Sequence, residues 1–150
     1  MKNLFEPQTV AEVQTRISKL QPDSQPMWGS MNSAQAAAHC SGGLEWAVGD
    51  TVPPAMFFGR MVGKIIKPMV FKDDAPMRRN SPTAKSLVIA DQRELSLEQE
   101  RLSGLIDRFV ANGSAGCTAA PHSFFGRLTP DEWAILMYKH VDHHLRQFGV

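Results

Sequence analysis

The sequence predicts an all-α protein, a four-helix bundle of up-down-down-up topology with a long crossover between the second and third helices. Three observations predict it. Four stretches place apolar residues at helical spacing, and each opens with a helix start signal. The connections between them are about eleven, forty-six and fifteen residues long.

The first two helices are predicted by their capping residues. The first begins at Thr9, where Glu12 gives the spacing of a capping box. Its apolar positions are Val10, Val13, Ile17 and Leu20, and prolines follow them. The second begins near Asn32, with Gln35 in the reciprocal position, and runs to about Val48. The short connection between them predicts antiparallel neighbours.

The last two helices have equally clear signals. The third begins at Ser96, with Gln99 as capping partner, and ends at Asn112 before a glycine. The fourth has the strongest start, which is Thr129, a proline at the first helical position and two acidic residues. It runs to about Phe148, antiparallel to the third.

The crossover runs from Asp50 to Leu95. We predict a short helix near Gly59–Lys67, a loop over Lys72–Ser86 and a short extended piece over Ser86–Ala90. The segment is long enough to return along the bundle, so that the second and third helices run parallel.

Composition favours a single globular domain over residues 1–150, with 43% hydrophobic and 21% charged residues. A formal charge of +1 excludes a general attraction to nucleic acid or to an anionic membrane. The apolar stretch Met56–Phe71 carries three basic residues and is shorter than the about 20 residues of a membrane span. Two cysteines without a CxxC pair, and no apolar leader, predict a cytoplasmic protein with free thiols.

The histidines carry the functional signal. His140 and His144 lie four residues apart on the fourth helix, the spacing by which one helix offers two imidazoles to one metal ion. They belong to the apolar stripe Trp133, Met137, His140, His144 and Phe148. His39, on the second helix, reaches the same depth if the two helices are antiparallel, at about 1.5 Å per residue. His143 falls on a polar flank, where we expect a solvated side chain.

Three neutral imidazoles suit Zn or Ni, or another late first-row divalent metal, and leave a coordination position open for a water or a thiolate. The alternative is that they are buried core histidines with hydrogen-bonded partners. Trp28 could wall a pocket, and Glu98 could orient a ligand histidine or act as a base. A Cys117–His122 pair is a weaker candidate nucleophile, because it lies at the other end of the fourth helix. No catalytic residue is assigned.

Three segments carry a family resemblance that extends over essentially the whole chain. They are WGSMNSAQ (28–35) followed by His39 and Cys40, HSFFGRLTPDEW (122–133), and KHVDHHLRQFG (139–149). Together they resemble the DinB-like family, in its branch of uncharacterised small bacterial proteins, although Ser123 stands where relatives often have proline. The resemblance implies a four-helix bundle with a divalent metal on three histidines, here at the matching positions His39, His140 and His144.

Characterised DinB-like relatives include thiol-dependent transferases and isomerases that use bacillithiol or mycothiol, and metal-dependent hydrolases. The leading hypothesis is therefore a metal-dependent enzyme, such as a thiol-dependent transferase, with a small-molecule substrate and a low-molecular-weight thiol as partners. The alternatives are a metal- or ligand-binding bundle without turnover, and a purely structural bundle. No nucleic-acid or membrane partner is expected. A homodimer is suggested by the resemblance, with Met56–Phe71 as the apolar surface.

Overall fold

The computed structural model describes the backbone of all 150 residues and every side chain except that of Phe58. The described chain forms five α-helices: α1 (Pro7–Ile17), α2 (Ser33–Val48), α3 (Phe57–Val70), α4 (Leu95–Asn112) and α5 (Pro130–Gln147). It contains no strand in the described residues, only an isolated bridge between His122 and Gly126. The all-α class is confirmed. The four-helix bundle is not confirmed, because the helix predicted near Gly59–Lys67 is a full helix of 14 residues and brings the number in the described chain to five.

The start signals of α2 and α5 are confirmed as reciprocal capping boxes. The Gln35 backbone N–H donates to Asn32 Oδ1 at 2.8 Å, and the Asn32 N–H donates to Gln35 Oε1 at 3.1 Å. Thr129 and Glu132 make the same pair of bonds, at 3.2 and 2.8 Å. These two helices carry the histidines, so their starts set the depth of the candidate site.

The predicted capping boxes of α1 and α4 are wrong. Helix α1 begins at Pro7, because proline fits the first helical position. Thr9 therefore lies inside the helix, and its hydroxyl donates to the Glu6 carboxylate instead of capping a helix that begins at Thr9. Helix α4 begins at Leu95, and its Gln99 side chain donates to the carbonyl of Ile17 on α1 at 2.7 Å. In both cases a side chain that could cap its own helix has another partner.

Side-chain bonds give the relative directions of the helices. Arg101 pairs with Glu45, and Arg108 with Asp50, so α2 and α4 run parallel. On the other side, Arg16 of α1 pairs with Asp142 of α5 at 2.7 Å, and the Leu4 N–H donates to the Ala134 carbonyl. Because Gln14 reaches Asp107 while Gln99 reaches Ile17, α1 and α4 are antiparallel. Helices α1 and α5 therefore run one way, and α2 and α4 the other.

The crossover is anchored to α5 at several points. Lys67 pairs with Glu132 at 2.8 Å, and the buried Lys139 ammonium donates to the carbonyls of Val70, Asp73 and Ala75 at 2.6–3.1 Å. Beyond this anchor the chain makes a 3₁₀ turn at Lys85–Leu87. The predicted extended piece at Ser86–Ala90 is therefore wrong where it begins, because Ser86 and Leu87 belong to this turn.

Helix α3 keeps one apolar face in solvent. Phe57 and Ile65 are 76% and 75% exposed, and Met61 and Met69 lie on the same side. The stretch Met56–Phe71 was predicted to supply apolar surface, although within it the Phe58 side chain lies outside the described part of the structure. No helix among the described residues is long and apolar enough to cross a membrane.

Candidate metal centre

Helices α2 and α5 bring three histidines to one point, His39 from α2 and His140 and His144 from α5. One ring nitrogen from each lies within 4.8 Å of the others, and His39 Nε2 is 2.8 Å from His140 Nε2. The ring centroids are 4.8–5.1 Å apart in edge-on pairs. These are the three residues that the helical spacing and the depth estimate selected.

Small residues of α2 make room for the cluster. A Cβ atom on Gly43 would lie 2.9 Å from His140 Nδ1, closer than real side chains approach. Only glycine at this position lets the His140 ring lie against the helix backbone. One turn earlier on α2, His39 fills the space between this ring and the crossover, where its Nδ1 meets the Leu87 carbonyl.

Hydrogen bonds fix the tautomers of two of the histidines. His39 Nδ1 is 2.8 Å from the Leu87 carbonyl, which can only accept, so Nδ1 carries the proton and Nε2 keeps its lone pair. Gln147 Nε2 donates to the Trp28 carbonyl at 2.5 Å, which turns the Gln147 Oε1 atom towards His144 Nδ1 at 2.8 Å. His144 Nε2 is therefore also free of its proton. Outward hydrogen bonds of this kind are typical of metal-ligating histidines.

Burial keeps the cluster uncharged. Desolvation lowers the pKa of His144 to about 3 and that of His140 well below its usual value. It also lowers the pKa of His39, although the hydrogen bond to Leu87 opposes the shift. The three rings are therefore neutral at physiological pH, which is the form that binds metal.

The donor set and its spacing fit a divalent ion. Nitrogens bound tetrahedrally at about 2.0–2.1 Å lie about 3.3 Å apart, within the range of 2.8 to 4.8 Å found here. Without a metal ion, the lone pair of His39 Nε2 needs a hydrogen-bond donor, and the Nε2–H of His140 must be that donor. A metal ion would replace that proton and take both lone pairs. The three-histidine grouping is thus compatible with a metal, and imidazole nitrogens suit Zn²⁺ or Ni²⁺.

The cluster lies in the wall of a cavity of about 580 Å³. The other walls come from the segment before α2, which includes Trp28, and from the crossover between Met77 and Ala90. A volume of this size accommodates a small organic molecule. All three imidazoles therefore border a space that a ligand could occupy.

Trp28 and Glu98 were both predicted near the histidines, and the structure separates them. Trp28 lines the cavity, with its ring centroid 5.4 Å from that of His143. Glu98 does not line it, because its carboxylate is held by Arg93 at 3.1 Å and Arg101 at 3.2 Å. Glu98 thus belongs to an ion-pair network with Arg93, which precedes α4, and Arg101 on α4, and these contacts give no support to a role as a base or as a partner of a ligand histidine.

His143 corrects the expectation of a solvated side chain. It is half-buried, lines the cavity, and lies 5.0 Å from His144 between ring centroids. Burial lowers its pKa, although a hydrogen bond from the ring to the Met77 backbone opposes this shift. The helical pattern could not show this, because the covering residues come from the crossover.

The second candidate centre is not assembled. His122 Nδ1 accepts from the backbone N–H groups of Phe124 and Phe125 at 3.1 and 3.2 Å, so this histidine stabilises its own loop. Cys117 Sγ lies against the Gly113 carbonyl at 3.8 Å. Burial raises the pKa of Cys117, which disfavours the thiolate that a nucleophile needs.

The sequence interpretation missed two partners of the cluster. Gln147 lies three residues after His144, and that helical spacing could have identified it. The Leu87 carbonyl is a backbone group in an irregular segment, so no side-chain pattern indicates it.

Comparisons with known proteins give a family but no activity. A family model described as a protein of unknown function (DUF1569) matches residues 4–149. Searches of curated proteins and of solved structures give no significant match. The family description does not mention the DinB-like proteins, so that resemblance stays a prediction. With nearly its whole length matched, the chain belongs to the DUF1569 family.

Proposed function

We propose that this protein is a metal-dependent enzyme of DinB-like type, in which His39, His140 and His144 hold one Zn²⁺ or Ni²⁺ ion. One observation carries the proposal. The Nδ1–H groups of His39 and His144 donate hydrogen bonds away from the cluster, to the Leu87 carbonyl and to Gln147 Oε1. Two unprotonated Nε2 atoms therefore face one point beside a cavity. Buried histidines that only pack have no need of this arrangement.

The chain's own residues would orient and isolate the reacting groups. Leu87 and Gln147 hold two of the imidazole rings, and the crossover forms part of the cavity wall beside them. A bound ion with an open position would lower the pKa of a thiol or a water molecule at the cavity wall. The cavity volume accommodates a small substrate beside that position. Thiol-dependent transfer is the reaction we favour, and hydrolysis is the second class to be tested.

A metal- or ligand-binding protein without turnover is the alternative function. It is favoured by one observation, which is that the described cavity lining contains no carboxylate to serve as a base. Only a turnover assay distinguishes the enzyme from the binding protein. A metal-loaded protein that binds thiols and transfers none to any electrophile or epoxide in a screen supports the alternative.

The proposal also covers the helix arrangement, the location and the oligomeric state of the protein. We propose that α1, α2, α4 and α5 are the four helices of the predicted bundle, that the protein is cytoplasmic, and that it forms a homodimer through the exposed face of α3. Ile65 is the best probe of that dimer, since it is 75% exposed. An Ile65→Lys variant should shift the mass in light scattering from dimer to monomer, and a wild-type monomer contradicts the proposal.

The metal site is tested by elemental analysis of tag-free protein purified without chelator. Wild type should hold about one equivalent of Zn or Ni, and the His140→Ala variant should lose it. A matched control is His122→Asn, which removes a histidine outside the cluster and keeps an acceptor for the Phe124 and Phe125 N–H groups. Wild type that stays metal-free after incubation with Zn²⁺ and Ni²⁺ refutes the proposal.

A further inference from the structure

The cavity beside the histidines has no acidic side chain among its described lining residues. Its lining includes Arg78 and four histidines. Arg79 is not one of the lining residues, but its guanidinium lies beside the cavity, 4.2 Å from the ring centroid of Trp28, which lines it. The local charge at the opening is therefore positive.

These two arginines differ from most others in the chain. Five arginines elsewhere pair with carboxylates: Arg16, Arg93, Arg101, Arg108 and Arg146. Among the described side chains, neither Arg78 nor Arg79 lies within ion-pair distance of a carboxylate, although Asp73 and Asp74 are near in sequence. Guanidinium groups that are free of carboxylates at a cavity mouth can bind an anion through charge-assisted hydrogen bonds.

A continuous row of planar side chains joins Arg79 to the three-histidine cluster. Arg79 stacks on Trp28, Trp28 lies 5.4 Å from His143, and His143 lies 5.0 Å from His144. The stacking holds the Arg79 guanidinium in one orientation, which reduces the entropy lost when it binds a ligand. The anion-binding end and the imidazole end thus belong to one cavity.

We propose that the cavity binds a small molecule with an anionic group at one end, a carboxylate, sulfonate or phosphate held by Arg78 and Arg79, and a metal-binding group such as a thiol at the other. The anionic end depends only on the arginines. The assignment of the thiol end rests on the proposed function.

Three probes separate the two ends. We would use 2-mercaptoethanesulfonate, which has both groups, 2-mercaptoethanol, which has only the thiol, and ethanesulfonate, which has only the anion. Sulfonate is a weak metal ligand, so its contribution reports on the arginines. Each probe is titrated by calorimetry into wild-type protein with and without Zn²⁺.

Wild type should bind 2-mercaptoethanesulfonate about tenfold more tightly than 2-mercaptoethanol, as expected for hydrogen bonds to a charged group. The double variant Arg78→Ala/Arg79→Ala should reduce this ratio to about one. Added NaCl should also reduce it, because the arginines are exposed. The control is Arg127→Ala, an exposed arginine that does not line the cavity and should leave the ratio unchanged.

The outcomes distinguish this inference from the proposed function. Equal affinities of the two thiols for wild type, or a ratio that survives the double variant, overturn the anion site. No saturable binding of 2-mercaptoethanesulfonate also overturns it. If ethanesulfonate and 2-mercaptoethanesulfonate bind equally and both depend on the arginines, the anion site stands and the thiol end of the proposed function fails.

Discussion

Replacing Gln147 with leucine should weaken metal binding without touching a ligand histidine. Gln147 is 2% exposed and makes two bonds at once, accepting from His144 Nδ1 and donating to the Trp28 carbonyl. Leucine removes both bonds and leaves the apolar contacts of the position. The His144 ring then loses the partner that fixes its tautomer and orientation.

The expected magnitude follows from these bonds. Removal of the hydrogen-bond partner of a metal-ligating histidine costs about 10–100-fold in metal affinity, which is about 1.4–2.7 kcal/mol. The Trp28 carbonyl and the His144 Nδ1–H also lose their partner in the metal-free protein. That loss should lower the free energy of unfolding by about 1–3 kcal/mol.

The assay is competition for Zn²⁺ between the protein and a chromogenic chelator, with urea unfolding measured on the metal-free protein. A matched control is Gln99→Leu. Gln99 also donates from its amide to backbone carbonyls, those of Ile17 and Leu20, and does not line the cavity. This variant should lose stability but keep the wild-type Zn²⁺ affinity.

Two results would refute the reasoning about Gln147. Wild-type Zn²⁺ affinity in Gln147→Leu would show that the hydrogen bond to His144 does not support a metal ligand. An equal loss of affinity in Gln99→Leu would show that weaker binding reflects general destabilisation of the fold.

Three further predictions concern the surroundings of the cluster. Gly43→Ala should weaken Zn²⁺ binding about tenfold in the chelator assay, because the added Cβ displaces the His140 ring. The control is Gly104→Ala, whose Cβ meets no atom within 4 Å. It should leave the Zn²⁺ affinity unchanged and stabilise α4 by about 0.5–1 kcal/mol. Burial lowers the pKa of His122 to about 4, so this residue takes up a proton more readily in the unfolded chain. Its contribution to the free energy of unfolding should fall by about 1 kcal/mol from pH 7.5 to 5.5. The difference between wild type and His122→Asn in urea unfolding at the two pH values measures that contribution. Lys139→Met leaves three carbonyls without their ammonium donor and should lower the free energy of unfolding by about 2 kcal/mol. If the variant is as stable as wild type in urea unfolding, water replaces the ammonium group at these carbonyls and the reasoning is wrong.

The sequence predicted the histidine cluster because the signals involved are local. His140 and His144 share a helix face through their spacing alone, and the capping boxes at Asn32 and Thr129 fix where α2 and α5 begin. Depth along two antiparallel helices then selects His39. Each step needs only helix geometry, which a single sequence specifies well.

The remainder of the site depends on the crossover, where such signals are absent. Leu87 contributes a backbone carbonyl, so any residue at position 87 could supply the bond to His39. His143 was predicted to be solvated because its helix position is polar, yet residues near Met77 cover it. Glu98 was predicted near the histidines from its position at the start of its helix, but Arg93 and Arg101 both pair with its carboxylate. Only tertiary packing decides each of these cases.

The crossover is therefore part of the candidate site as well as a connection. Lys139 of α5 holds its middle, at the end of α3, through three carbonyls, and His39 of α2 holds the carbonyl of Leu87 nearer its end. Between these anchors lie Arg78 and part of the cavity wall that the α-helices do not supply. Because both anchors come from the helices that carry the histidines, the geometry of the cavity mouth and that of the cluster are set together. A substitution that shifts the crossover should thus alter ligand binding even where it contacts neither the histidines nor the ligand.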